Sequence, residues 1–339
     1  MNSRELVKAA LRFQPTPRVP QQLWTLSWAQ IHYPTELEAI RRDFPPDFQG
    51  ARYDPPQLDW VRGERERRGL YVDEWHCVFE NIQDGVVGEV KQPLIKSYES
   101  DLGKVRPPVE LIGKGFEHTN ESIADADKFV LVGWANLFER MQFLRGTENL
   151  FMDLAELPAG FFALRDMVHE FNLRMMEDWL RTDVDGLTFA DDWGTQRSLL
   201  ISPRQWRELF KPCYKEYCDA IHKAGKFVFM HSDGYIFDIY EDLIEIGVDA
   251  VNSQLFCMDI EEIGRRFKGR ITFWGEIDRQ YLLSFAPTEE VRAAVHRVAR
   301  ALYDGRGGVI AQCEFSAGNK PQNVRAVFET WHEIAAQHH

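Results

Sequence analysis

The chain has 339 residues, 44% of them hydrophobic, and a formal net charge of −13. That length accommodates one large domain or two small ones, and so acidic a surface repels phosphate backbones, which excludes nucleic acid as the expected partner. No apolar run approaches the ~20 residues needed to cross a bilayer, so no membrane partner is expected either.

The chain opens on MNSRELVKAALRF, which reads as a short amphipathic helix and lacks a signal-peptide core. The five cysteines (Cys77, Cys213, Cys218, Cys257 and Cys313) are odd in number and scattered. Without an export signal they predict reduced thiols in a cytoplasmic protein. Residues 69–96 read as short strands with turns, Asp84-Gly85 being the clearest. From residue 128 strands and helices alternate. Strands are predicted at 128–134, 184–190, 226–230, 248–254, 271–274 and 309–312. Helices are predicted between them, among them one that starts at Ser202-Pro203 with serine as cap, kinks at Pro212 and ends at Gly225. Another opens at Thr288 with Val291, Val295, Val298 and Leu302 on one face. Such alternation implies a parallel sheet, because parallel neighbours need a crossover. A closed eight-fold barrel and an open doubly wound sheet both fit, and no glycine-rich phosphate turn favours the dinucleotide-binding version of the latter. With no linker or composition break, residues 1–339 read as a single domain, and 69–96 as a strand-rich excursion from it.

The polar residues fall at strand ends. Asp191 and Asp192 follow one strand, His231 and Asp233 the next, Gln254 the third, Glu276 the fourth, and Cys313 with Glu314 the fifth. In a parallel barrel these ends share one face, which holds the active site. His231, Asp233 and Cys313 are zinc-binding types, and Gln254 or Glu276 adds an oxygen. Taken singly, each has a plainer reading: a histidine in a loop hydrogen bond, aspartates capping a helix, a cysteine as a small buried hydrophobe. Recurrence at five successive strand ends favours a site.

The segments DDWGTQ (191–196), ISPRQWRELFKP (201–212), HKAGK (222–226), IGVDAVN (246–252) and FWGEID (273–278) resemble the uroporphyrinogen decarboxylase superfamily, and DEWHCVFEN (73–81) resembles its methyltransferase-like members. The resemblance implies a (β/α)8 TIM-type barrel with its pocket at the strand C-termini. The true decarboxylase binds a tetrapyrrole with eight carboxylates and needs cations for it. The region corresponding to its arginine-bearing stretch, VPQQLWTLSWAQIHYP (19–34), has none, and the last strand runs into CEFSAG instead of Gly-His-Gly. The cobalamin-dependent methyltransferase branch is closer. There zinc sits on a His-x-Cys pair and a later cysteine: His231 matches the first ligand, Cys313 the last, and Asp233 replaces the middle cysteine.

The resulting expectation is a zinc-dependent methyltransferase working with a separate corrinoid protein. One sulfur fewer tilts it toward a small O- or N-methyl donor. His231, Asp233, Cys313 and Gln254 are the expected metal ligands, and Asp191, Asp192 and Glu276 the expected catalytic groups. Members of the superfamily are often dimers, so a homodimer is the expected assembly. Two rivals stand beside this reading: a metal-free carboxy-lyase acting on a small acid through Asp191, Asp233 and Glu276, and a non-catalytic binding protein on the same barrel.

Overall fold

The computed structural model describes residues 1–337. Its strands are β1 (Gln21–Thr25), β2 (Phe48–Gln49), β3 (Gly69–Val72), β4 (Val78–Asn81), β5 (Glu89–Val90), β6 (Phe129–Ala135), β7 (Gly186–Ala190), β8 (Phe227–Ser232), β9 (Ala250–Ser253), β10 (Thr272–Trp274) and β11 (Val309–Phe315). Eight of them hydrogen-bond in the order β1-β11-β10-β9-β8-β7-β6-β2, with every pairing parallel. This is the TIM-type barrel, as expected, with helices on its outside. The predicted excursion is a separate antiparallel sheet, β3-β4-β5. It packs on the helices after β6, where Asp73 holds the buried Arg140 and Trp75 meets Phe171 edge to face at 5.0 Å. The expected kinked helix is two helices, Pro203–Leu209 and Lys211–Lys223, which meet at Phe210. Pro212 falls in the first turn of the second, where a missing N–H costs nothing.

The seam between β1 and β2 is closed by one carboxylate. Asp47 is fully buried and accepts from Arg18 Nη1 and Nη2 at 2.6 and 2.5 Å, from Gln21 N at 2.8 Å and from Ser3 Oγ at 2.5 Å. Its own N–H donates to Gln21 O at 2.9 Å. Asp47→Ala would leave the guanidinium and a buried N–H without their acceptor. The expected cost is about 3–5 kcal/mol, read as a lower urea midpoint. A loss below about 1 kcal/mol would show that other contacts close the seam.

Inside the barrel, Phe48, Phe129, Phe229, Ala250, Trp274 and Ile310 cluster with Val7 and Leu11 of the helix Ser3–Leu11. That helix seals the N-terminal end. Its Arg4 and Lys8 both pair with Asp185, just before β7, and Gly308, just before β11, donates to Ala10 O. Outward-facing strand residues join a second, larger core beneath the helices. All five cysteines are free, and among the described residues no helix is long and apolar enough to cross a membrane.

Candidate metal centre at the barrel mouth

Side chains alternate along a strand, so the inward apolar residues dictate what stands above them. Two positions past Phe229 comes His231, past Ala250 comes Asn252, and past Ile310 come Gln312 and then Glu314. Parallel register sets His231 beside Asn252. Above the apolar plug there is therefore a polar layer. Asn252 Nδ2 donates to Trp274 O at 2.5 Å and to Gln312 Oε1 at 3.0 Å, which orients the amide so that its Oδ1 meets His231 Nδ1 at 2.6 Å. Asn252 Oδ1 can only accept, so the proton of the imidazole lies on Nδ1. Nε2 then faces the mouth, 3.5 Å from Asp192 Oδ1 and 3.7 Å from Asp233 Oδ1.

Asp192, His231 and Asp233 each offer one ligand atom, and these atoms lie within 4.8 Å of one another. The chain turn holds the two carboxylates together: Asp233 N donates to Asp192 Oδ1 at 2.8 Å. Gly194 and Gly234 pack backbone to backbone beneath them. A Cβ on Gly234 would stand 2.1 Å from Gly194 O, so this approach requires glycine. Asp233 Oδ2 pairs closely with Arg279, whose Nη1 reaches Glu314 at 3.2 Å and Glu276 at 3.9 Å. Asp233 Oδ1 is buried with no hydrogen-bond partner, and so is Glu276 Oε2.

Carboxylates outnumber the guanidinium they surround, and their protons respond. Burial first, then the charge of Asp233, raises Asp192. Burial holds Glu276 well above the usual carboxyl range despite the opposing pull of Arg279. Glu139, opening the helix after β6, is pushed up to about 8 by burial and by the charges of Asp192 and Asp191. An excess of negative charge, an orphaned carboxylate oxygen and an imidazole nitrogen aimed at the same point fit a divalent cation. One nitrogen and two oxygens match the three protein ligands of an open zinc site, and the amide on Nδ1 is the usual outer partner of a ligating histidine.

The structure brings together His231, Asp233, Asp192 and Glu276 and sets three other predicted residues apart. Cys313 lies on β11 between inward Gln312 and Glu314, so it faces the helices. It is fully buried in the outer core, where burial pushes its thiol up and away from the thiolate a metal needs. The expected sulfur ligand is thereby corrected by strand parity. Gln254 Oε1 is occupied: it accepts from Gly234 N at 3.1 Å, Gln196 Nε2 at 3.3 Å and Cys257 Sγ at 3.4 Å. Asp191 is engaged as a strut. It accepts from Leu137 N at 2.8 Å, Glu139 N at 2.7 Å and Tyr214 Oη at 2.6 Å, tying the end of β7 to the turn after β6. Sequence reasoning missed Asn252, Gln312, Arg279 and Glu139. A polar residue at an inward position of a buried strand was the available signal for the first two. Arg279 stands three residues beyond Glu276, in the irregular segment after β10, and only its contacts reveal it.

Residues 136–334 match the family model for uroporphyrinogen decarboxylase (URO-D), and the chain belongs to that family. Among solved structures, a methyltransferase from Methanosarcina mazei is similar over 98% of this chain and 99% of its own, with a TM-score of 0.68 at 15% identity, a likeness of fold. The IOLI protein solved with a binding zinc atom covers 94% of this chain and 98% of its own at 8% identity and a TM-score of 0.39. The 3-keto-D-glucoside 4-epimerase YcjR from E. coli covers 64% and 84% at 11% identity and a TM-score of 0.38. Likenesses as weak as these last two carry no argument. No curated protein sequence matches.

Proposed function

We propose that this URO-D family member is a metal-assisted methyltransferase. It would move a methyl group from a small O- or N-methyl compound to a corrinoid held by a separate protein. The observation that carries the reading is the cradle of His231, Asp192 and Asp233 at the mouth, and the whole-length likeness to a protein described as a methyltransferase supports it. When bound, a zinc ion there would polarise the heteroatom that leaves the methyl group. The chain's own residues do the rest. Asn252 holds the imidazole with Nε2 outward. Arg279 keeps Asp233 and Glu314 in place. Glu276, kept protonated by its burial, hands a proton to the departing oxygen or nitrogen. A reduced corrinoid on the partner protein would supply the electron pair of the new bond to carbon, and the heteroatom would keep the pair of the broken one.

The carboxy-lyase reading needs a cation to receive a substrate carboxylate. Arg279 is already engaged with Asp233 and Glu314, and residues 19–34 hold no arginine. The deciding experiment is metal analysis of the purified protein, together with methyl transfer to reduced free cobalamin from a panel of O- and N-methyl compounds. About one zinc per chain and chelator-sensitive methylation are expected. Absence of bound metal, with chelator-resistant release of carbon dioxide from a small acid, would establish the lyase instead.

A further inference from the structure

A small polar cavity lies beside the metal cradle. It measures about 160 Å³ and is bounded by the turn Leu255–Cys257 after β9 and by the irregular segment 276–281 after β10. Glu276, 2% exposed, forms its inner end. Gln196, Gln280 and Tyr281 form its outer end, and all three are exposed, Tyr281 by 54%. The cavity therefore runs from a buried carboxyl to the surface. Asp278 fixes the outer segment by accepting from Gln280 N at 2.9 Å and from Tyr281 N and Leu282 N at 3.1 Å.

Glu276 Oε2 is buried without a hydrogen-bond partner, and Arg279 Nη1 at 3.9 Å is beyond hydrogen-bond reach. A buried carboxyl oxygen with no protein partner calls for water. The walls suit water. The amides of Gln196 and Gln254 join at 3.3 Å, Cys257 Sγ donates to Gln196 Oε1 at 3.1 Å, and Arg279 and Asp278 add charged groups. The volume takes several waters at about 30 Å³ each, and this lining gives them their polar partners.

We propose that this cavity is the proton inlet of the site: a file of water in it joins Glu276 Oε2 to solvent beside Tyr281, and through it the carboxyl recovers each proton it gives up. The step it serves rests on the methyltransferase reading; the inlet does not. In each turnover the O–H bond of the Glu276 carboxyl breaks and its proton passes to the departing oxygen or nitrogen. The carboxylate left behind takes a proton from the innermost water, which solvent makes good at the outer end. Nothing in the relay is oxidised or reduced, and the proton need not enter through the mouth, where the substrate stands.

The test follows the Glu276 carboxyl itself. Its infrared C=O band, assigned by its loss in Glu276→Gln, should shift when the full chain is mixed rapidly into deuterated buffer, and the rate of that shift is the rate of proton entry. Cys257→Phe fills the cavity. So does N-ethylmaleimide on the unaltered chain, where Cys257 is half-buried and the other four cysteines are buried. The alkylated chain keeps the test decisive if the variant fails to fold. Either plug should slow the shift roughly tenfold or more, because exchange then waits for local opening, while the thermal midpoint holds. In methyl transfer, a plugged chain should complete its first turnover on the resident proton and slow in later ones. Exchange indifferent to both plugs, no carboxyl band in the unaltered chain, or later turnovers as fast as the first in plugged chains would overturn the proposal. Plug-sensitive exchange in a chain that transfers no methyl group would keep the inlet and remove the methyltransferase reading. Methyl transfer with plug-indifferent exchange would do the reverse.

Discussion

His231→Ala is expected to empty the mouth of its metal and to abolish methyl transfer. The imidazole supplies the one nitrogen of the cradle, and its removal leaves two carboxylates already engaged with a backbone N–H and with Arg279. Losing one of three ligands should lower zinc affinity by roughly 10³-fold or more. Competition against a chromophoric chelator measures this directly. Asn252→Ala keeps the ligand but frees the ring to turn, so a loss of about 10–100-fold is expected there. Cys313→Ala should leave affinity unchanged, because the thiol faces the helix layer. Zinc retained by His231→Ala but lost by Cys313→Ala would mean that the cation sits elsewhere.

Zinc affinity should also climb with pH and level off near the titration of Glu139. In the metal-free mouth, carboxyls crowd one another and hold protons: Glu139 is pushed up to about 8 and Asp192 is raised. A cation favours the ionised forms, so binding displaces protons, and below pH 8 those protons compete. The expected slope is up to about one decade of affinity per pH unit for each proton released. Glu139→Gln should flatten the curve. Folding stability without metal moves the other way. Glu139 ionises at 4.5 when unexposed to these neighbours and at about 8 when folded. The folded chain therefore binds more protons in that window, and the stabilisation present below pH 4.5 is lost as pH rises to 8. Chelator competition at several pH values and thermal midpoints of the metal-free protein check the two arms. An affinity that is flat from pH 6 to 9 would show that these carboxyls do not feel the cation.

Much of the barrel was legible in the chain because its later strands are short apolar runs separated by amphipathic helices. The helix at 260–267 appears as read, and the strands near 227, 250 and 272 lie within a residue or two of their expected starts. The early strands were not legible. β2 is two residues long and β1 is half-polar, so neither leaves a pattern. His231, Asp233, Asp192 and Glu276 meet at one mouth because strand ends of a parallel barrel converge. Cys313 misled because residue type was weighed without parity. A one-residue difference along β11 separates the pocket from the outer core, and Glu314 occupies the inward position. Asp191 misled for a related reason: adjacent aspartates share a strand end, but only one of them points at the mouth while the other is consumed by backbone donors.

The outward turn of Cys313 has a consequence for metal choice. A cradle of one imidazole and two carboxylates has no soft atom with which to prefer zinc over iron, cobalt or manganese, and raw affinity among these ions follows their intrinsic order rather than the protein's design. Occupancy in such a cradle is settled by supply, so protein grown in media enriched in different ions should be isolated carrying different ones.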